Sequence, residues 1–259
     1  AGFVEIETPM LTRSTPEGQP ASSDTKGIFV PKLGALYHLK HAVDLYANVS
    51  RGFRQTDNVI DDPSLPFITA WAYESGVKLD LARINLSVAF FRTDVSNEQT
   101  FNPVTLESTS GGRSRRQGID ADLVAQVAPG VRLSARGTIT EAKYRSLVTA
   151  EGDTLDGARV FNTAKYVAAG GIDVAPEMAI WRFGISANLV GPYTPFDEPG
   201  VEVPTYALVH LTGGLRLGSA LLDVGVRNLF DKTYPELRAG GFVAPGQPRS
   251  VYGSVHYIF

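Results

Sequence analysis

The chain has 259 residues, 24 Lys and Arg against 27 Asp and Glu, a net charge of −3 and no cysteine. That balance offers no polyanion-binding signature, which argues against nucleic acid as a partner, and the absence of thiols excludes disulfides and thiolate metal sites. Hydrophobic residues make up 43% of the chain, but no run approaches the ~20 consecutive apolar residues a membrane helix needs, so a membrane-spanning form has to be built from strands closed into a barrel.

The N-terminus shows no basic stretch followed by an apolar core, so no secretory leader is present, and for an envelope protein the chain is expected to lack its beginning. Residues 1–26 are set apart from the pattern that follows. From residue 27 onward the dominant pattern is period two. In Val43-Asp44-Leu45-Tyr46-Ala47-Asn48-Val49-Ser50 the odd positions are apolar and most even ones polar. Ile119-Asp120-Ala121-Asp122-Leu123, Val131-Arg132-Leu133-Ser134-Ala135-Arg136 and Trp181-Arg182-Phe183-Gly184-Ile185 repeat it. Successive strand side chains point to opposite faces, so each segment has one apolar and one polar face. Eleven strands are expected, near 27–38, 43–53, 69–80, 84–95, 117–127, 131–142, 163–174, 180–190, 205–217, 220–229 and 249–259. Residues 3–10 could add a twelfth by pairing against an edge. Tight links near 39–42, 80–83, 128–130, 175–179 and 218–219 alternate with long polar ones near 54–66, 96–116, 145–162, 192–204 and 231–248. Short turns at one end and long loops at the other are the asymmetry of a bacterial outer-membrane barrel, with periplasmic turns and extracellular loops.

A soluble sandwich would also alternate. Three features favour the membrane barrel. The polar face is rich in charge, including Asp44, Glu74, Lys78, Asp120, Asp122, Arg136, Arg182 and Asp223, as a hydrated lumen would be. Aromatics such as Phe29, Phe53, Trp71, Tyr73, Tyr166, Trp181 and Tyr257 gather near strand ends, where a ring can be half apolar and half wet. Mid-strand apolar positions hold many Ala and Gly, which fill a packed core poorly but are tolerable against lipid.

Several stretches resemble TonB-dependent outer-membrane receptors. Pro31-Lys32-Leu33-Gly34 followed by Tyr46 to Phe53-Arg54 is similar to that family's P-K-x-G … Y-a-x-x-S-x-G-F-R hairpin, and Tyr73-Glu74-Ser75-Gly76-Val77-Lys78 to its Y-E-x-G-x-K strand. Ala89 to Val95 and Arg116-Gln117-Gly118-Ile119-Asp120 follow in family order. The most specific match is the end: Val226-Arg227-Asn228-Leu229-Phe230-Asp231-Lys232-Thr233-Tyr234, then Pro245-Gly246-Gln247-Pro248, then a terminal strand closing on Tyr257-Ile258-Phe259. The resemblance implies an all-β, antiparallel transmembrane barrel, residues 27–259 being the C-terminal half of a 22-stranded wall. It also implies an N-terminal plug and a TonB-contacting segment, neither of which is visible here. Val255, Tyr257 and Phe259 correspond to the C-terminal signal read by the barrel-assembly machinery.

The first residues fit this poorly. Gly2-Phe3-Val4-Glu5-Ile6-Glu7-Thr8-Pro9-Met10-Leu11-Thr12 and the residues through Gly18 resemble the motif 1 region of bacterial aspartyl-tRNA synthetase. The arginine of motif 2 and the Gly-rich motif 3 are absent, so aspartate activation is not expected. Residues 1–26 are read as a segment foreign to the barrel.

Other chemistry finds little support. His38, His41, His210 and His256 have no paired metal spacing. Gly111-Gly112-Arg113-Ser114-Arg115-Arg116 lacks the Lys-Ser/Thr of a phosphate loop and leads into a strand. No Gly-x-Ser-x-Gly elbow occurs. The expectation is a non-enzymatic receptor of the Gram-negative outer membrane. It would need no cofactor and would take up a scarce ligand, a ferric siderophore first among them, with the TonB complex, the barrel-assembly machinery and outer-membrane lipid as partners. Arg54, Arg113, Arg116 and Tyr193 are the candidate ligand contacts, because an anionic ferric chelate favours cations and aromatics. A passive porin-like barrel and a synthetase remnant are the alternatives.

Overall fold

The period-two segments form the wall of a single curved sheet. A computed structural model describes residues 2–8, 24–54, 66–102, 107–148, 152, 154–195, 198, 200–239 and 241–257. The strands are β1 (Gly2–Thr8), β2 (Asp24–Val30), β3 (Lys32–Lys40), β4 (Val43–Arg54), β5 (Ile68–Leu81), β6 (Ile84–Asn102), β7 (Glu107–Ala128) and β8 (Val131–Ser146). After them come β9 (Tyr166–Val174), β10 (Trp181–Val190), β11 (Tyr206–Leu217), β12 (Ala220–Arg227), β13 (Pro235–Ala239), β14 (Phe242–Pro245) and β15 (Ser250–Tyr257). Eleven of them form one sheet in the order β15-β12-β11-β10-β9-β8-β7-β6-β5-β4-β3, every neighbouring pair antiparallel. Those eleven correspond one for one with the expected strands.

The differences have local causes. Residues 27–38, expected as one strand, are divided at Pro31, which has no N–H to give to a ladder. Before it β2 pairs with β1 in a separate hairpin; after it β3 pairs with β4, and the Pro31 carbonyl accepts the Arg51 N–H at 2.9 Å. The expected twelfth strand from residues 3–10 is not added to the sheet: Gly2–Thr8 pairs with β2 in that separate hairpin, Pro9 and Met10 lie outside the described residues, and β2 crosses residue 26. The expected long link at 96–116 is largely an extension of β6 and β7. The link at 231–248 contains the small β13–β14 hairpin.

All five tight turns lie at one end. The β7–β8 turn is Pro129-Gly130 with Gly130 at φ 70°, and the β11–β12 turn places Gly218 at φ 61°. Glycine takes that left-handed conformation without steric cost.

The sheet has unlike faces. Following the register across β4 to β8, one face carries Leu45, Val77, Val88, Ala121 and Gly137 in one row and Ala47, Ser75, Phe90, Ile119 and Ile139 in the next. Phe90, Ile119, Ile139, Val251 and Val255 on this face are 49–70% exposed, whereas Ala89, Ser114, Ala142 and Tyr144 on the other are 7% or less. The apolar face is therefore convex and the polar face concave. Among the described residues, buried apolar side chains cluster in a patch at the loop end, where Ala142, Tyr144, Leu147 and Val160 pack with Leu155, Ala158 and Phe161.

Candidate functional site

The concave face is hydrophilic from turn end to loop end. Asp44 stands opposite Lys78, Asn48 opposite Glu74 and Asp122 opposite Arg136. Lys78 Nζ lies 5.1 Å from the Tyr46 ring centre, Thr138 donates to Asp120, and Arg182 binds Asp223 at 2.5 Å. Tyr46, Glu74, Asp120, Asp122, Arg136 and Asn188 line a hollow of about 530 Å³. Among the described residues no group of three or more His, Asp or Glu side chains is placed to hold a metal. This wall can hydrate and orient a polar solute, with Arg182 and Asp223 paired to each other and Lys78 and Asp120 held by Tyr46 and Thr138.

At the loop end a backbone irregularity creates an ion pair. β6 would place Glu98 on the convex face if it ran on regularly. Asn97 instead adopts φ 60°, and the register shifts between Ser96 and Glu98. An Asn tolerates the left-handed region better than most residues, and its Nδ2 donates to the Phe67 carbonyl at 2.9 Å. Such a bulge re-aims the residue after it. Glu98 thereby reaches Arg116 at 3.0 Å, and Arg116 and Glu98 both bind the buried Ser114 hydroxyl.

The four expected contact residues do not converge. Arg54 ends β4 on the concave side, exposed. Arg116 is concave but paired with Glu98. Arg113, three residues from Arg116, stands opposite Ser96 on the convex face. Tyr193 lies in the link after β10, in a short antiparallel bridge with Val203, and burial pushes its hydroxyl pKa up against a smaller lowering by Arg238. Around Tyr193 the structure adds residues that the sequence reading did not single out. Tyr206 and Tyr234 stack with ring centres 5.1 Å apart. Arg238 of β13 binds Glu198 at 2.9 Å, and the second Glu198 oxygen accepts the Gly241 N–H at 3.1 Å, clasping the 191–205 link to the β13–β14 hairpin. Both contacts hold the Glu198 carboxyl below its ordinary pKa, the Arg238 hydrogen bond most strongly.

A family model described as TonB dependent receptor-like, beta-barrel, matches residues 11–229. The chain belongs to the TonB-dependent receptor-like β-barrel family. Its place is the Gram-negative outer membrane. Among solved structures it is similar to the ferric yersiniabactin uptake receptor FyuA from Yersinia pestis, with 20% identity, a TM-score of 0.75, and coverage of 90% of this chain and 37% of that one. The ferripyoverdine receptor of the outer membrane of Pseudomonas aeruginosa, solved bound to ferripyoverdine, gives 21%, 0.73, and 91% and 34%. The siderophore receptor PiuA from Acinetobacter baumannii gives 16%, 0.75, and 94% and 38%. The chain thus spans well under half the length of each receptor. No curated protein sequence matches.

In this receptor barrel the motif that ends the sequence resemblance proves to be a structural knot. Asn228 is buried at 3% exposure with φ 50°. Its Nδ2 donates to the carbonyls of Lys232 (2.9 Å) and Gln247 (3.1 Å), and its Oδ1 accepts the Lys232 N–H at 2.8 Å. Asp231, at φ 53°, accepts the Arg249 N–H. Gly246 lies flat against the Tyr234 ring, so close that any Cβ would overlap it. Asn228, Asp231, Tyr234 and Gly246 together therefore fix the link before the terminal strand. Val255 and Tyr257 stand on the convex face of β15; Phe259 lies outside the described residues.

Proposed function

We propose that this chain supplies part of the wall of an outer-membrane receptor that takes up a scarce, anionic metal chelate, a ferric siderophore, without covalent change. The observation carrying the reading is the pairing of an apolar convex face with a charged concave face under a cross-linked collar of loops. That architecture binds a solute at the outside and lets it move along a hydrated wall. Membership of the receptor family and likeness to three siderophore receptors support the substrate class.

Within the collar, Tyr193 with Tyr206 and Tyr234 offers ring faces and hydroxyls, and Arg54 and Arg116 offer cations on the concave side. Arg113 is a less suitable ligand contact because it faces outward. Energy for transport comes, in this reading, through the TonB complex. The terminal strand bearing Val255, Tyr257 and Phe259 directs insertion by the barrel-assembly machinery.

The test is growth on iron-chelated medium supplied with single ferric siderophores, comparing a deletion strain with the same strain complemented. One ferric chelate is expected to restore growth only with the gene and only with TonB intact. Equal growth of both strains on every chelate would sink the proposal, and TonB-independent conductance of the purified protein in planar bilayers would favour a passive barrel.

A further inference from the structure

One side chain ties the Asn228 knot to the lumen wall. His210, in the loop-end part of β11, pairs with Ser186 and faces the concave side with Asn188. Its Nδ1 accepts the backbone N–H of Asn228 at 3.2 Å, and its Nε2 lies 3.0 Å from the Asn188 side-chain amide. That hydrogen bond fixes the tautomer. A ring nitrogen that accepts carries no proton, so the neutral ring keeps its proton on Nε2. The Asn188 amide, which can present either end by a half-turn about its last bond, then offers its oxygen to that N–H. A protonated ring carries N–H groups on both nitrogens, and its Nδ1–H would point at the Asn228 N–H. The bond to the knot and the charge on the ring are therefore mutually exclusive. Asn228 is buried, where a peptide N–H left without an acceptor is costly.

The groups around the ring sharpen that conflict. On β10 they are Ser186 and Asn188, and on β11 itself Leu208 and Thr212, all uncharged. On β12, Val226 pairs with Leu211, which puts Arg227 beside His210. The Arg227 guanidinium lies 5.0 Å from the ring centre of Tyr252 on β15. In the link beyond β12, Lys232 is bound to Asn228 through its backbone, and the Asp231 carboxylate accepts the Arg249 N–H. Asp223, further down β12, is bound by Arg182 at 2.5 Å. A ring that gained a proton would thus meet a peptide N–H and a like charge, while both these carboxylates are engaged elsewhere.

We propose that His210 is a proton-operated latch between the lumen wall and the loop collar, holding Asn228 when the ring is neutral and releasing it when the ring is protonated. What it releases is set by the knot. Asn228 holds Lys232 and Gln247, Asp231 holds Arg249, and the β13–β14 hairpin hangs between these anchors. Imidazole is the side chain whose charge ordinarily changes between about pH 5 and 8. Mild acid outside the cell would therefore loosen this hairpin first, and the carboxylate clasp of Glu198 would follow only in stronger acid. The inference rests on bonding within the chain and is independent of which solute the receptor takes up.

The experiment takes the protein as the cell makes it, extracted from outer membranes in mild detergent. Amide exchange is followed by mass spectrometry at about pH 7.5 and about pH 5, the range in which imidazole titrates, and corrected for the intrinsic effect of pH on exchange. In the unaltered protein the Asn228, Lys232 and Arg249 amides should lose protection together at the lower pH, by about fivefold. The centre of β7 should stay protected. His210→Gln, whose amide oxygen can accept the same N–H without titrating, should be protected equally at both pH values. His210→Lys, a permanent cation with no acceptor, should show the low-pH behaviour already at pH 7.5. Arg238→Gln, which opens the Glu198 clasp, should leave the pH response of these three amides in place. Protection that does not fall with pH in the unaltered protein would overturn the proposal, as would the same fall in His210→Gln. If His210→Gln does not fold, His210→Lys decides: full protection of the three amides at pH 7.5 would overturn the proposal too.

Discussion

Asn97 sets the charge pattern of the loop end through one backbone angle. Asn97→Val would put a β-branched residue at φ 60° and remove the bond to Phe67, and is expected to destabilise by about 2 kcal/mol. Asn97→Gly keeps the angle and should cost less than about 1 kcal/mol. Denaturant midpoints check both, and an Asn97→Val midpoint equal to the original would show that the bulge does not depend on this side chain. Asn228 has the same backbone demand with three hydrogen bonds added, so Asn228→Ala should cost about 3 kcal/mol in the same assay. The Glu198 clasp responds to pH. Its carboxyl pKa is lowered in the folded protein, so the stabilisation is complete above the ordinary glutamate value. It is lost as pH falls through the depressed one. Limited proteolysis of the 191–205 link should therefore accelerate between about pH 5 and 3. Arg238→Gln should give that fast cleavage already at neutral pH, and cleavage independent of pH would exclude the clasp as the restraint.

Among the elements, the strands were legible wherever water and lipid faced each other across one strand thickness, because that contrast writes alternation into the sequence. Val43 to Ser50 and Val131 to Arg136 show it plainly. The outer parts of β6 and β7 were not legible, since Ser96, Asn97 and Glu98 and the stretch Gly111 to Arg116 are polar or glycine on both faces. There the ladder continues because the hairpin is already in register, with no apolar face to announce it. Pro31 was visible as a residue without a donor, but its consequence, a change of pairing partner between β2 and β3, depends on where β1 lies. The candidate contacts fared unevenly for a related reason. Arg113 and Arg116 look equivalent in a run of arginines, yet an odd spacing on a strand sends them to opposite faces. Glu98 could be paired with Arg116 only once the bulge was known, and the Tyr193, Tyr206 and Tyr234 cluster joins three separate stretches of chain. Asn228, Asp231, Tyr234 and Gly246 were recognisable as a family pattern, while their bonding was not. The β13–β14 hairpin rests on that knot, so its protection from amide exchange should fall in Asn228→Ala while the centre of β7 stays protected.

For the molecule as a whole, the described sheet ends in two strands with one neighbour each, β3 and β15. Unpaired backbone groups in hydrocarbon cost several kcal/mol apiece. Residues 1–259 refolded by themselves in lipid are accordingly expected not to give a heat-modifiable, protease-resistant barrel; recovery of one would contradict this. How the sheet can be completed follows from the number eleven. With every neighbouring pair antiparallel, the first and eleventh strands run in the same sense. Bringing β3 round to β15 would make a parallel seam, and a second copy standing the same way up in the membrane would make two. Antiparallel seams at both edges require an odd number of added strands. Parity alone therefore dictates that self-closure, or like-oriented pairing of two such sheets, would leave parallel seams in an otherwise antiparallel wall, whatever side chains stand at either edge.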